Sequence, residues 1–438
     1  MGAVIVVGGS GFIGRHVAAA LLDAGQSVAT PSHSDFDIAR ETPDALADKL
    51  AGASVVVNCA GLARDGRVDN LEAVNFVGAQ RLGEACRIAG VRRLVHISAL
   101  GADCNDAARF QRSKGAGEQA LAAIEGVQVV IVRPSLVMGP GGASGDFFSA
   151  LAALPVPPRL GTGQWRVQPL HVTELANLIV KLALEPDPPK SVDAVGPAPV
   201  STDDLTGQLR SWLGLSESAR LPLSRGALGA LAWANEIVEA GPGDREFVAL
   251  LERGNFADPS SISAALGRAP LNFAQSLSRQ PASMGDLWRA RLYFLQPLLR
   301  LTLGFLWFGT GLVSFGLFPP AEFYVMLGEL GLTGPLAEVA LFGAAGLNIV
   351  LGVMLLVNWR PAWVATVMLA LLIVFSFAAL LLPHEYWLTP FAPILKNLPI
   401  GVALLALIAM QRPDRAGAQH VSALASSPTK AEPLRSVF

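Results

Sequence analysis

At 438 residues the chain is long for one domain and suits two. Apolar residues make up 52% of it and charged residues only 16%, against roughly 25% charged in soluble domains, so part of the chain belongs in lipid. A net charge of −2 excludes the basic face that a nucleic-acid partner requires.

The first stretch, GAVIVVGGSGFIGRHVAAALLDAG, reads as strand, turn and helix. Val4 to Val7 is the β-branched run of a buried parallel strand. Gly8, Gly11 and Gly14 follow at G-x-x-G-x-x-G spacing, and Val17, Leu21 and Leu22 form the inner face of the helix. A side chain at Gly11 would hold a pyrophosphate away from the N–H groups at the helix start, and Gly14 lets the helix close on the strand. Gly8 to Gly14 therefore reads as a dinucleotide cradle. The second strand ends in Thr30-Pro31-Ser32-His33, with no acid for the ribose hydroxyls. Asp35 lies too far past the strand. Ser32 and His33 would accept a 2′-phosphate, which tips the reading from NAD towards NADP.

Three more strands are predicted, at Ala53–Gly61, Val91–Ala102 and Val127–Gly142, with helices at Asn70–Ala89 and Lys114–Ile124 between them. This alternation predicts an α/β doubly wound parallel sheet with ligands at the carboxyl ends of its strands, where Asn58, Ser98 and Pro134–Ser135 fall. Cys59, Cys86 and Cys104 form no C-x-x-C pair, which suits a reducing compartment without disulfides or zinc. No cluster of metal ligands is evident, and no cleavable signal peptide is expected.

Taken together, GGSGFIG (Gly8–Gly14), NCAG (Asn58–Gly61), HISALGA (His96–Ala102), RPSLVMGPGG (Arg133–Gly142) and QPLHVTELA (Gln168–Ala176) resemble an atypical or extended short-chain dehydrogenase/reductase. The branch they are most similar to contains the NAD(P)-binding subunit of respiratory complex I. The resemblance covers residues 1–280, with a smaller substrate-side lobe at about 203–278. It implies that Gly8, Ser10, Gly11, Phe12, Ile13 and Gly14 hold the pyrophosphate, and that Asp37 and Ile38 contact adenine. Asn58–Gly61, with Ala60, is implied to line the adenine side. Ser98 and Lys114 are implied to face the nicotinamide, with Pro134 among the cofactor contacts. One departure matters. RFQRSK keeps the spacing of the family's Tyr-x-x-x-Lys, but Phe110 stands where the proton-transferring tyrosine belongs. The chain's tyrosines, Tyr293, Tyr324 and Tyr386, are all placed at or beyond the start of the membrane part. That leaves Ser98, Lys114, His171 or water as substitutes. Each has a plainer role: Lys114 holding ribose, Ser98 ending a strand, His171 a structural residue.

Residues 281–296 are expected as a juxtamembrane linker, 297–411 as an all-α four-helix transmembrane bundle and 412–438 as a disordered tail. The apolar segments are Pro297–Phe318, Leu336–Val357, Pro361–Leu382 and Pro393–Met410. Arg289, Arg291 and Arg300 precede the first segment, Glu322, Glu329 and Glu338 occupy the first loop, and Arg360 lies between segments two and three. His384 and Glu385 follow segment three, and Arg412 and Arg415 follow segment four. Positive charge thus marks the side of the nucleotide domain, which predicts a multi-pass protein of the cell inner (plasma) membrane with both termini cytoplasmic. Trp359, Trp363, Tyr386 and Trp387 fall at interface positions. Ala340, Ala344, Asn348 and Gly352 form one face of the second helix, read either as helix packing or as a quinone pocket. This half resembles the DoxX-like family of small four-helix membrane proteins, on GLTGPLAEVALFGAAGLNIVLG and PFAPILKNLPI.

Three functions follow. The first is a membrane-tethered NAD(P)-dependent oxidoreductase passing reducing equivalents to a quinone or other membrane-associated acceptor. The second is a non-catalytic NAD(P)-binding sensor or assembly scaffold, motivated by Phe110. The third, a nucleotide-sugar epimerase or dehydratase, would also need the tyrosine.

Overall fold

A computed structural model describes residues 2–66, 69–238, 241–317, 320–383 and 393–411. The chain divides into two compact units, Met1–Tyr293 and Phe294–Phe438.

The first unit is built on a six-stranded sheet of β1 (Ala3–Val7), β2 (Val28–Ala29), β3 (Ala53–Asn58), β4 (Arg93–Ile97), β5 (Gln128–Pro134) and β6 (Ser191–Ala194). The order is β2-β1-β3-β4-β5-β6 and every pair is parallel. Alternate residues serve opposite faces of such a sheet. Val4, Val6, Val55, Val57, Val95 and Val130 pack under α1 (Phe12–Asp23), α6 (Val172–Leu184) and α10 (Ser260–Leu266). Ile5, Val7, Val56, Leu94 and Ile131 pack under α2 (Pro43–Lys49), α3 (Ala79–Ile88) and α4 (Arg109–Ala122). The strand order reverses between β1 and β3. That is the switch point at which doubly wound sheets bind ligands.

Some expectations are corrected. Val17 and Leu21 are buried as predicted, but Leu22 is exposed, on the outer flank of α1. β6, at the far edge beside β5, was not anticipated. The helix carrying Lys114 begins at Arg109, so Phe110 lies within it. Ile262 and Ala265 of α10 join the main core. Within the expected juxtamembrane linker, residues 284–292 form a helix, α12 (Met284–Leu292), packed on α5 (Ala143–Ala153). Tyr293 closes this unit, with its ring edge-on to Phe147 at 6.3 Å, so the first unit does hold a tyrosine.

One charge is wholly internal. Arg93 at the start of β4 is fully buried. It donates to Leu182 O and Ala183 O at 2.9 Å, Glu185 O at 2.6 Å, Pro186 O at 3.0 Å and Gln128 Oε1 at 2.7 and 2.8 Å. The last carbonyls of a helix lack intrahelical partners, and Arg93 supplies them for α6.

The second unit holds α13 (Leu295–Leu312), a π-helical turn at Val313–Leu317, α14 (Pro320–Glu329), α15 (Pro335–Leu356), α16 (Pro361–Leu380) and α17 (Pro393–Met410). Leu303, Trp307, Leu351, Leu355, Val364, Ala365, Met368, Leu404 and Leu407 draw α13, α15, α16 and α17 into one core. Small residues set the α13–α15 contact: a Cβ on Gly311 would lie 2.7 Å from Ala345 O, and one on Gly352 2.5 Å from Phe308 N. Among the described residues, three helices are long and apolar enough to cross a membrane, those at Leu295–Leu317, Pro335–Leu356 and Pro361–Leu380. The fourth expected segment is the apolar helix α17, Pro393–Met410, whose start adjoins residues outside the described set. Arg300 does not precede the first span. It is buried inside α13 and donates to Leu355 O and Leu356 O at 2.9 Å, capping α15. Asn397 Nδ2 donates to Ser376 Oγ at 2.8 Å, joining α17 to α16. Trp359 and Trp363 are exposed and meet edge to face. His384, Glu385, Tyr386, Trp387, Arg412, Arg415 and the expected tail 412–438 lie outside the described residues.

Candidate functional site

The glycine loop sits at the switch point. Gly8 takes φ +73°, and a Cβ there would lie 2.7 Å from Ala60 N at the end of β3. Gly11 N donates to Gly8 O at 2.9 Å, folding the turn onto α1, whose start no side chain caps. A Cβ on Gly14 would run into the Gly8 carbonyl, so helix and strand ride closer than any other residue permits. At Gly11 a Cβ would meet only Gly8 O, at 3.1 Å, and would otherwise project outward, where an anion would approach the helix N-terminus. Ser10 is exposed, and Phe12 and Ile13 are half-buried on the first turn. This cradle fits a pyrophosphate.

The expected adenine-side residues form a charged cluster. Ser32 Oγ donates to Asp35 Oδ2 at 2.6 Å. His33 is exposed, with Nε2 at 3.7 Å from Asp69 and 3.9 Å from Asp37. Arg40 bridges Asp37 and Asp69 at 2.7 Å each. Ile38 is buried, and a Cβ on Gly78 would lie 2.9 Å from its Cγ1. The loop thus offers carboxylates to ribose hydroxyls as well as cations to a phosphate.

Across the sheet, α4 brings the second group together. Phe110 and Lys114 lie one helical turn apart and share a face; Phe110 is half-buried and Lys114 buried. The glycines of KGAG explain the burial. A Cβ on Gly115 would collide with the Asp103–Cys104 backbone, and one on Gly117 with Asn75 O. Lys114 Nζ donates to Ile97 O at 3.0 Å. A Cβ on Gly61 would lie 2.7 Å from the same Nζ, so the NCAG turn lies against Lys114 as well as beside the loop. Desolvation pushes the Lys114 ammonium down to about 8, opposed by Cys59 and Glu118. Burial raises the Cys59 thiol to about 12, with Lys114 opposing. Ser98, next to Ile97, is buried, and its Oγ has no hydrogen-bond partner. A buried hydroxyl left open in this way suits a ligand that completes it. Pro134 ends β5 and is buried.

Asn75, Ser113 and Glu118 join this group without a sequence signal of their own, beside Asn58, His96 and Arg133 of the quoted motifs. Asn58 Nδ2 bonds His96 Nδ1 at 3.0 Å behind the lysine. Burial, and then Lys114, push His96 down to about 3, so it is neutral. Asn75 lies in a π-helical turn, Ala73–Gly78, of the kind that recurs at functional sites. Its amide bonds both polar groups of the Leu62 backbone and donates to Ser113 Oγ at 3.0 Å. Ser113 in turn donates to Phe110 O at 2.9 Å. Glu118 holds Arg133 through two-pronged bonds of 2.5–3.0 Å. Helical periodicity alone makes Asn75 a core position, and the offset of a π-turn is invisible to it.

His171 is not part of this group. It caps α6, with Nδ1 at 2.8 Å from Thr173 Oγ1. It lines a separate cleft with Gly139, Asp146, Trp212, Asp286 and Arg289, which neither Ser98 nor Lys114 lines. Among the described residues no cluster could hold a metal ion, and Cys59, Cys86 and Cys104 are free thiols.

Two family models match the sequence. Residues 4–195 match the NAD dependent epimerase/dehydratase family, and residues 304–407 the DoxX-like family. The chain is 33% identical over 200 residues to a ceramide reductase of Caulobacter vibrioides, covering 42% of this chain and 62% of that protein. It is 28% identical over 203 residues to the mitochondrial NADH dehydrogenase (ubiquinone) 1 alpha subcomplex subunit 9 of Mus musculus, covering 42% and 53%. The chain thus spans less than two thirds of either relative. Among solved structures, MoeE5 in complex with UDP-glucose and NAD superposes with a TM-score of 0.50 at 21% identity, covering 66% of this chain and 99% of that one, a likeness of fold.

Proposed function

Because this chain joins an NAD(P)-dependent short-chain dehydrogenase/reductase-like domain to a DoxX-like membrane domain, we propose that it is a membrane-anchored oxidoreductase acting on an acceptor held in the lipid bilayer. The observation that carries this is the arrangement at the end of β4: a buried Lys114 whose Nζ bonds Ile97 O, with the buried, unpartnered hydroxyl of Ser98 on the next residue of the chain. A quinone fits the membrane setting, and a lipid carbonyl fits the named activity of the Caulobacter relative.

Bound NAD(P)H supplies a hydride. The Gly8–Gly14 loop holds the pyrophosphate, and Ser32, His33, Asp37 and Ile38 surround the adenosine. NADP(H) is favoured where Ser32, His33 and Arg40 meet a 2′-phosphate, and NAD(H) where Asp35 and Asp37 meet the free ribose. Ser98 Oγ donates a hydrogen bond to the substrate oxygen. Lys114 Nζ, protonated below about pH 8, holds the proton that this oxygen takes up. Asn75, through Ser113, fixes the first turn of α4, and with it Phe110 and Lys114. A second reading, an NAD(P)-binding scaffold, is favoured by Phe110 itself, which can neither give nor take a proton.

The test is NAD(P)H oxidation by the purified full-length protein in nanodiscs, with short-chain quinones and with hydrophobic ketones. Turnover supports the oxidoreductase; tight cofactor binding with no turnover on either class selects the scaffold. Gly11→Asp places an anion where the pyrophosphate approaches, and calorimetry should show a sharp loss of affinity for NADPH and NADH alike. Equal affinity in both proteins would remove the cradle assignment.

We further place the nucleotide domain on the cytoplasmic side of the cell inner membrane, supported by Arg289, Arg291 and Arg360. A reporter inserted between Glu322 and Glu338 should read external. One fused after Phe438 should read cytoplasmic if α17 crosses the bilayer; an external signal there would show that it does not.

A further inference from the structure

The helix α8 (Arg225–Val238) carries large apolar residues on its open side. Its two charged residues pair with the neighbouring helix: the exposed Arg225 with Glu252, and the half-buried Glu236, which accepts from Arg245 at 2.8 Å. Both partners lie on α9 (Arg245–Arg253). Asn235 Nδ2 donates to Gly241 O at 2.9 Å. The inner face is completed by buried Leu228 and Ala232. Beyond Arg225 the open face is apolar. Gly226, Ala230, Trp233 and Ile237 follow one another at three- and four-residue steps, flanked by Leu231. Leu231, Trp233 and Ile237 are 57%, 56% and 62% exposed. A surface helix in water shows the opposite arrangement.

A second helix also turns large apolar residues outward. On α12 Met284 and Trp288 are 67% and 60% exposed, with the exposed Arg289 and Arg291 among them. Ala290 is buried on the inner side. Chain continuity identifies what covers these faces. α12 ends at Leu292 and the first membrane helix begins at Leu295, a step of at most about 10 Å. The end of α8 is tied to the same point. Gly241, three residues past Val238, lies so close under the Tyr293 hydroxyl that a Cβ there would overlap it. Both helices therefore lie near Tyr293, the residue from which the chain continues into the first membrane helix. Exposed tryptophans at such a level prefer the headgroup region, where the ring is apolar and its N–H is wet. Arg291 matches lipid phosphates.

We propose that the outer faces of α8 and α12 form an interfacial membrane-docking surface, with Trp233, Ile237, Met284 and Trp288 seated in the headgroup–acyl boundary of the bilayer carrying the spans. The occupant is the lipid surface. The docking does not depend on turnover, and it would hold the substrate-side lobe against the membrane.

The test uses the full chain, one copy per nanodisc, with acyl-brominated phosphatidylcholine as quencher. Trp233→Phe and Trp288→Phe isolate each residue's emission by difference from the eight tryptophans. The emission lost in each variant should be blue-shifted, largely quenched by the bromolipid and shielded from aqueous iodide. Ile237→Trp should add a component of the same kind, so the result does not rest on one position. Cofactor binding by each variant reports that the domain is folded. A Trp233 component quenched by iodide and not by bromolipid would place α8 in water. A component protected from both would mean that protein covers it. Either result overturns the proposal.

Discussion

Replacing Lys114 with methionine should lower NAD(P)H oxidation by about 10²–10⁴-fold, the range contributed by a positioned proton donor. Nζ is held at the end of β4 by Ile97 O and lies against Gly61. Burial places its proton loss near pH 8. The sign of the pH dependence follows. Reduction needs the ammonium, so the wild-type rate should be level below pH 8 and fall above it; oxidation in the reverse direction should rise across the same window. The methionine variant should show no break there. Stability carries the same signature with its own sign. The folded-state value of about 8 lies below the ordinary 10.5, so between them the unfolded chain binds more protons and stability rises with pH. Denaturation midpoints should climb from pH 8 to pH 10 in the wild type and stay flat, as far as this residue is concerned, in Lys114→Met. A wild-type rate in the variant, or a profile without a break near 8, would remove Lys114 as the donor.

Phe110→Tyr should raise turnover, again within about 10²–10⁴-fold. The frame for a phenol is intact. Phe110 lies one turn before Lys114 on the same face, its turn is pinned by Ser113 and Asn75, and the Ser98 hydroxyl is open. A neighbouring ammonium lowers a phenol's pKa towards working pH. Because Phe110 is half-buried rather than sealed, an added hydroxyl has somewhere to point. The competing outcome is specific. If the ring is part of a repacked apolar floor, the hydroxyl is buried without a partner at a cost of about 1–3 kcal/mol. The melting temperature would then drop and the rate would not move. Combining Phe110→Tyr with Lys114→Met should erase the gain, since the phenol would lose the charge that tunes it.

Much of this was legible in the chain. The β-branched runs at Val4–Val7, Ala53–Asn58 and Gln128–Pro134 identify the sheet because a strand buried on both faces has no polar position. Gly8, Gly11 and Gly14 identify the cradle because only glycine allows those close approaches. The long uncharged runs identify the spans. Ser98 and Lys114 are implied by the family resemblance; Ser98 follows β4, and Lys114 reaches Ile97 O at its end from α4.

What the sequence by itself determined, then, is which segments must avoid water and where the backbone must come close to a ligand. Only the tertiary structure decided what covers each face and what each charge meets. Arg300 reads as a flanking cation in sequence, yet it is buried as the cap of α15. Arg93 opens a strand, yet it closes a helix some ninety residues further on. Asn75 reaches Leu62 and Ser113 through a π-turn that no apolar period encodes. Arg225 and Glu236 of α8 find partners on α9, while Trp233 and Ile237 stay exposed. Periodicity records the chemistry of a face, and it is local. A partner supplied from distant sequence leaves no mark on that period.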